Sequence, residues 1–196
     1  MDTYVYELAG KLYINLTNKC NNDCAFCIRN SGDGIDDYYL WLDREPEAQE
    51  IITELKKRQD IKKIVFCGFG EPLFRLDTLL EIAEYAKTLG IHTRLNTNGQ
   101  ADLIAGEGVA ARLVGRLDQV SISLNATSKE KYIAICKPKS GGSAYDAMLK
   151  FAKECVEAGI DTIMSVVDVI GEQEIEQARL IACSIGATLR VRKYAG

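Results

Sequence analysis

Three cysteines crowd into eight residues of this chain: Cys20, Cys24 and Cys27, spaced C-x3-C-x2-C. Thiolates this close on one short segment converge on a soft-metal centre. A structural zinc site closes with paired sets of Cys or His ligands. Here no second cysteine pair exists, and the only histidine, His92, is remote and reads as structural. A cubane iron–sulfur cluster in an ordinary ferredoxin has a cysteine for every iron. Three cysteines leave one iron open to an exogenous ligand, and that open position is the functional signal.

The remaining cysteines make the total of seven odd. A disulfide framework fits poorly in a chain that can build its own core. Cys67, Cys155 and Cys183 are expected as small buried apolar side chains. Cys136 lies among Lys129, Lys131, Lys137 and Lys139 on a Gly/Ser-rich loop. A basic, polar setting lowers a thiol pKa, so Cys136 is the best candidate for a further functional thiol.

The elements that must position these residues follow from periodicity. Of the 196 residues, 47% are hydrophobic and 27% charged, which predicts one globular domain spanning 1–196. Short β-rich runs at 11–16, 62–67, 93–96, 119–124, 160–169 and 187–192 alternate with helical stretches at 45–57, 77–89, 104–117, 143–158 and 172–185. Asp43 is the expected cap and Pro46 a first-turn residue of the first helix. Gly90, Gly159 and Gly186 stand where helices should end. This alternation predicts right-handed βαβ units around a parallel sheet. A closed eight-unit barrel takes about 250 residues, so six units predict an open, partial (β/α)6 barrel with its site at the strands' carboxyl ends. The gap is expected between the first and sixth strands. A net charge of −4 gives no global basic field for nucleic acid. No apolar run reaches the roughly 20 residues of a membrane span, and the acidic first residues lack a signal-peptide pattern. A cytoplasmic protein is expected.

Polar motifs follow successive strands: Cys67-Gly-Phe-Gly-Glu-Pro72, Asn96-Thr-Asn-Gly99 and Ser121-Ile-Ser-Leu-Asn-Ala126. The cysteine spacing with Phe26 before the last cysteine resembles the hallmark of the radical S-adenosylmethionine (SAM) superfamily, and the loop at 67–72 resembles its "GGEP" loop. Further runs, at 12–18, 27–30, 40–42, 66–73, 94–99, 121–126 and 190–194, resemble the small TatD-associated radical SAM proteins.

The resemblance implies a [4Fe–4S] cluster on Cys20, Cys24 and Cys27. It implies reductive cleavage of SAM to methionine and a 5′-deoxyadenosyl radical, followed by hydrogen abstraction from a substrate. Gly68, Phe69, Gly70 and Glu71 should line the methionine end of SAM, with Glu71 at its amino group. Asn96, Asn98, Ser123 and Asn125 should meet its carboxylate and ribose, and Phe26, Val167 and Asp168 its adenine. Arg29, Trp41 and Arg192 are the substrate candidates. Arg190 and Lys193 beside Arg192 either share that role or form salt bridges, and Arg75 either binds an anion or forms a salt bridge. The expected partners are an external flavodoxin- or ferredoxin-like reductant and a functional link to a TatD-type nuclease. An enzyme modifying a small molecule or a nucleotide, with a nucleic-acid-derived substrate attractive, is the first reading and a glycyl-radical activase the second. The third is a non-catalytic Fe–S protein.

Overall fold

Strand–helix alternation produces a seven-stranded sheet curved around a polar cavity. The computed structural model describes residues 2–194. The first half runs β1 (Val5–Leu8), β2 (Lys11–Ile14), a hairpin of β3 (Gly34–Ile35) and β4 (Tyr38–Tyr39), α1 (Ala48–Lys56), β5 (Lys63–Phe66), α2 (Leu76–Thr88) and β6 (His92–Thr97). It continues through α3 (Ala101–Ala105), α4 (Val109–Leu113), β7 (Gln119–Ser123), α5 (Lys129–Cys136), α6 (Ser143–Glu157), β8 (Asp161–Val167), α7 (Glu172–Ile185) and β9 (Thr188–Arg192). Strand order is β1-β2-β5-β6-β7-β8-β9; β1 is antiparallel to β2 and every other neighbouring pair is parallel. The six parallel strands and their crossover helices form the partial barrel expected.

Several local expectations need correction. An unforeseen strand, β1, extends the sheet beyond β2, so the edges are β1 and β9. It turns into β2 through Ala9 and Gly10, both with positive φ (49° and 69°), the two-residue connection that suits strand twist. Helix α1 begins after Glu47 rather than at an Asp43 cap, and the Glu50 carboxylate accepts from the Glu47 amide at 3.0 Å. The helix expected over 104–117 is two short pieces, α3 and α4, separated by Gly106 and Gly108. The lysine-flanked segment read as a loop forms α5, whose Ser128 hydroxyl accepts from the Lys131 amide. Helices α2, α6 and α7 stop just before Gly90, Gly159 and Gly186, as expected.

The sheet's two faces differ in chemistry. Ile14, Phe66, Leu95, Ile122 and Met164 are fully buried, packed in one core with helix residues such as Leu79, Ala83, Met148 and Phe151. Each such side chain contributes about 1.5–3 kcal/mol by leaving water. The intervening residues line the interior: Tyr13, Arg94, Asn96, Ser121, Ser123, Ser165 and Arg190. A closed barrel fills that space with branched apolar side chains. Here it is polar. At the amino ends Lys63 Nζ donates to Gln119 Oε1 (3.3 Å), and Gln119 Nε2 donates to Asp161 Oδ2 (2.6 Å).

Candidate active site

The cysteine loop leaves β2 and is pinned on two sides. On one, its Asp23 and Ala25 amides donate to the carbonyls of Cys136 and Ile135 at the end of α5 (3.0 and 2.9 Å). On the other, side-chain amides form a buried chain. Asn98 Nδ2 donates to Asn21 Oδ1 (2.7 Å), Asn21 Nδ2 to Gln100 Oε1 (2.6 Å), and Gln100 Nε2 to Asn22 Oδ1 (2.7 Å). Asn22 Nδ2 then donates to the Tyr132 hydroxyl (3.2 Å). A fully satisfied buried network fixes one geometry. It explains the two asparagines between Cys20 and Cys24. Gln100 and Tyr132 went unnoticed in the sequence because their partners are distant in the chain.

The Cys20, Cys24 and Cys27 thiols are half-buried and line one cavity of about 360 Å³. Three cysteine thiols on one cavity are a donor set that fits three irons of a [4Fe–4S] cluster. Burial pushes Cys20 up to about 11. Cys24 is raised by contact with the Cys136 thiol and then by burial, while the same contact lowers Cys136. Cys20 and Cys24 therefore hold their protons in the free protein, and metal binding displaces them. Cys136 is thus a buried neighbour of Cys24 rather than a thiol on a charged loop. Cys155 is buried as expected, Cys183 is exposed, and Cys67 lines the cavity.

Beside the cysteine loop lies the glycine loop. A Cβ at Gly70 would stand 2.3 Å from the Thr17 carbonyl oxygen, and one at Gly68 2.0 Å from Asn15 Oδ1. Only glycine permits this approach. The Glu71 amide donates to the Lys19 carbonyl (2.8 Å), locking the two loops together. Glu71 itself is 3% exposed. Its Oε1 accepts from the Thr97 hydroxyl (2.7 Å) and the Leu73 amide (3.2 Å), and its Oε2 from the Asn98 amide (2.7 Å). Burial outweighs these three donors and pushes Glu71 up to about 7. Phe69 is buried, its ring edge-on to Trp41 with centroids 5.0 Å apart.

Strand ends complete the wall. Asn96, Asn98, Ser123 and Asn125 all line the cavity. The Asn98 amide group is already committed, its Nδ2 to Asn21 and its Oδ1 to the Gln100 amide (3.0 Å). Asn125 has φ +57° and donates from Nδ2 to Cys136 Sγ (3.5 Å), while its buried Oδ1 has no partner. A buried acceptor without a donor is costly, and one aimed at a cavity fits a ligand hydroxyl. Phe26 borders both this cavity and a second one of about 530 Å³, walled by Ala126, Ile135, Val169 and Ile170. Val167 and Asp168 border neither; Asp168 instead accepts from the Tyr194 amide (3.0 Å) and Lys193 Nζ (3.1 Å).

Of the expected substrate contacts, Arg192 lines the cavity and Arg29 and Trp41 do not. Arg29 donates to the Asn18 carbonyl (3.2 Å) and covers the Trp41 ring, whose Nε1 donates to Asp33 (3.0 Å). Arg75 takes its salt-bridge reading, binding Glu45 at 2.9 Å.

Comparisons with known proteins agree with this geometry. Residues 14–181 match the pattern of the Radical SAM superfamily. A probable GTP 3′,8-cyclase of Methanocaldococcus jannaschii is 38% identical over 128 residues, 64% of this chain and 40% of that protein. A second, from Pyrococcus horikoshii, is 30% identical over 186 residues, 92% of this chain and 54% of that protein. The chain thus spans about half the length of these curated relatives. Among solved structures, Streptococcus suis SuiB bound to the precursor peptide SuiA superposes with TM-score 0.71 at 19% identity, over 93% of this chain and 39% of SuiB. Native anSMEcpe with bound AdoMet gives 0.69 at 16% identity, over 93% and 50%. At such identity these two show the fold. The superfamily match covers most of the chain, and this protein belongs to the radical SAM superfamily, whose enzymes work with a [4Fe–4S] cluster and SAM.

Proposed function

We propose that this enzyme holds its cluster on Cys20, Cys24 and Cys27, binds SAM across the ends of β5, β6 and β7, and acts on a nucleotide-derived substrate. The observation that carries the reading is the convergence on one cavity of three thiols, the glycine loop and the orphaned Asn125 Oδ1. When bound, cluster and SAM supply a 5′-deoxyadenosyl radical that removes a hydrogen atom from the substrate. The chain's own residues bind and orient. The glycine loop offers backbone to the methionine end, and Glu71 Oε2, with one hydrogen bond accepted, has a lone pair for the amino group. Asn96, Ser123 and Asn125 face the carboxylate and ribose. Adenine fits the cavity beside Phe26, with Val169 and Ile170 taking the place expected for Val167 and Asp168. Arg29 and Trp41 then act as a brace behind Phe69.

The relatives' name, probable GTP 3′,8-cyclase, supports a nucleotide substrate, whereas the activase reading gains no support from them. Electron supply by a flavodoxin- or ferredoxin-like reductant and a cytoplasmic setting belong to the same reading. No helix among the described residues is long and apolar enough to cross a membrane. The TatD link rests on the sequence resemblance alone.

The test is anaerobic reconstitution followed by reaction with SAM and dithionite. The expected result is about four irons per chain and 5′-deoxyadenosine formation. Both should be lost when Cys20, Cys24 and Cys27 are replaced by alanine, and kept in Cys183→Ala. Stoichiometric zinc without iron overturns the proposal.

A further inference from the structure

Deeper in the same cavity, Arg94 of β6 joins Arg190 and Arg192 of β9. Elsewhere Arg44, Arg75, Arg112, Arg116 and Arg179 each pair with a carboxylate. These three do not, among the described residues. The charged or ionisable groups facing Arg94 are Arg190, Arg192, Tyr13, Cys67 and Lys63. Those facing Arg192 are Cys67, Arg190, Cys24 and Arg94. Arg94 Nε donates to Asn96 Oδ1 at 2.9 Å, whereas Arg192 Nε is buried with no partner. Burial and mutual repulsion push Arg94 and Arg192 below the ordinary arginine range.

Arg94 and Arg192 are half-buried and Arg190 is exposed at the cavity's edge. Three like charges converging on one cavity without a counter-charge repel one another, so this arrangement favours an anion. SAM brings one carboxylate, and Arg192 is the one of these three that faces a metal thiol, Cys24. Arg94 and Arg190 remain. Two planar donor forks match an oxyanion with several oxygens and more than one charge, the recognition that favours arginine over lysine. Hydroxyls stand alongside: Ser165 is level with Arg190 on the neighbouring strand, and Tyr13 and Ser121 line the same wall. The Lys63–Gln119–Asp161 chain lies across the amino ends, with Gln119 opposite Arg94 in the strand register. A cavity of about 360 Å³ bounded in this way suits a small molecule entering from the carboxyl end.

We propose that Arg94 and Arg190, with Arg192 one step nearer the cysteine loop, form a phosphate-binding floor, and that the substrate is a phosphorylated small molecule anchored there with its reacting C–H bond toward the cluster. This deepens, and rests on, the radical SAM reading above. It is tested by calorimetric titration of inorganic pyrophosphate into the reconstituted, SAM-bound protein, with malonate as the carboxylate control at matched ionic strength. Pyrophosphate should bind at a single site, at least about tenfold more tightly than malonate. Arg94→Met and Arg190→Met should each weaken it about tenfold or more, while Arg179→Ala, on the outer face of α7, should not. Arg94→Lys, which keeps the charge and loses the fork, should recover part of the affinity. Thermal unfolding identifies any variant that fails to fold, and Arg190, on the exposed edge strand, then carries the test.

Pyrophosphate that does not bind, binds independently of both arginines, or binds no better than malonate overturns the proposal. The same preparation is assayed for 5′-deoxyadenosine. Its formation without arginine-dependent pyrophosphate binding rejects the phosphate floor and keeps the radical SAM reading. Arginine-dependent binding without 5′-deoxyadenosine does the reverse.

Discussion

At the amino ends of the strands, Asp118 accepts from Lys87 Nζ (2.6 Å), the Thr93 amide (2.8 Å) and the Thr93 hydroxyl (3.1 Å), with His92 nearby at 3.6 Å. At the carboxyl ends and in the cavity below them, Asn125 Oδ1 and Arg192 Nε are buried without any partner, and Glu71 is pushed up to about 7. One end satisfies its polar groups internally; the other leaves them waiting. Buried polar groups without partners cost stability, so they persist where a ligand completes them. The division matches the general rule for strand–helix barrels, with stability set at the amino ends and chemistry at the carboxyl ends.

The largest effect that sharpens this contrast is expected at Gly70. An alanine there puts its Cβ 2.3 Å from Thr17 O and 2.6 Å from Lys19 O, both backbone atoms of the cysteine loop. The clash should cost about 1–3 kcal/mol. Because the strained atoms carry the neighbour of Cys20, it should also abolish SAM cleavage. Melting temperature and 5′-deoxyadenosine yield check the two together; a fall in stability with normal yield would mean the loop contact is only structural.

A somewhat smaller and purely structural effect is expected at the opposite end. Asp118→Asn should lower stability by about 1–2 kcal/mol through weakened hydrogen bonds, leaving SAM affinity as it was. Burial raises the Asp118 pKa, but hydrogen bonds from Lys87 and Thr93 outweigh it and leave the group below its usual 3.8. Its contribution is therefore present above that value and lost as pH falls through the depressed one. Acid unfolding should begin at higher pH in a variant that lacks it. Loss of SAM affinity in the same variant would break the division between the two ends.

The two ends were also unequally legible in the sequence. Cys20, Cys24, Cys27 and the glycine loop stood out because their chemistry depends on spacing along the chain. The parallel strands stood out because their helix-facing apolar residues repeat. Missed elements depend on distant partners: β1 is a strand through pairing with β2, and Gln100 matters through Asn21 and Asn22. Helix α5 was read as a loop because lysines surround its narrow buried stripe of Tyr132 and Cys136. That stripe brings Cys136 against Cys24 and Tyr132 against Asn22. Alternation within β6 and β9 put Arg94 and Arg192 on the inner face, yet no local pattern revealed that they lack counter-charges.

The smallest effect concerns Glu71, where the two behaviours meet, since it is hydrogen-bonded like Asp118 yet ionises reluctantly. Burial comes first among its influences, and the Asn98, Thr97 and Leu73 donors recover only part of the loss. A carboxyl raised above its unfolded value of 4.5 to about 7 stabilises the fold fully below 4.5, and that contribution is lost as pH rises through 7. The free protein should therefore lose stability between these values, and Glu71→Gln should flatten the profile. SAM reverses the preference if its ammonium meets Oε2, because a neighbouring cation favours the carboxylate. Binding at pH 6.5 should then release a fraction of a proton, roughly half or more for a group titrating near 7. Calorimetry of SAM binding in buffers of different ionisation enthalpy measures it directly. Glu71→Gln should bind SAM more weakly, by about 1 kcal/mol for one lost charge-assisted contact, and release no proton. Proton release that persists in the variant would assign the titration to another group and leave Glu71 as a brace between Thr97, Asn98 and the glycine loop.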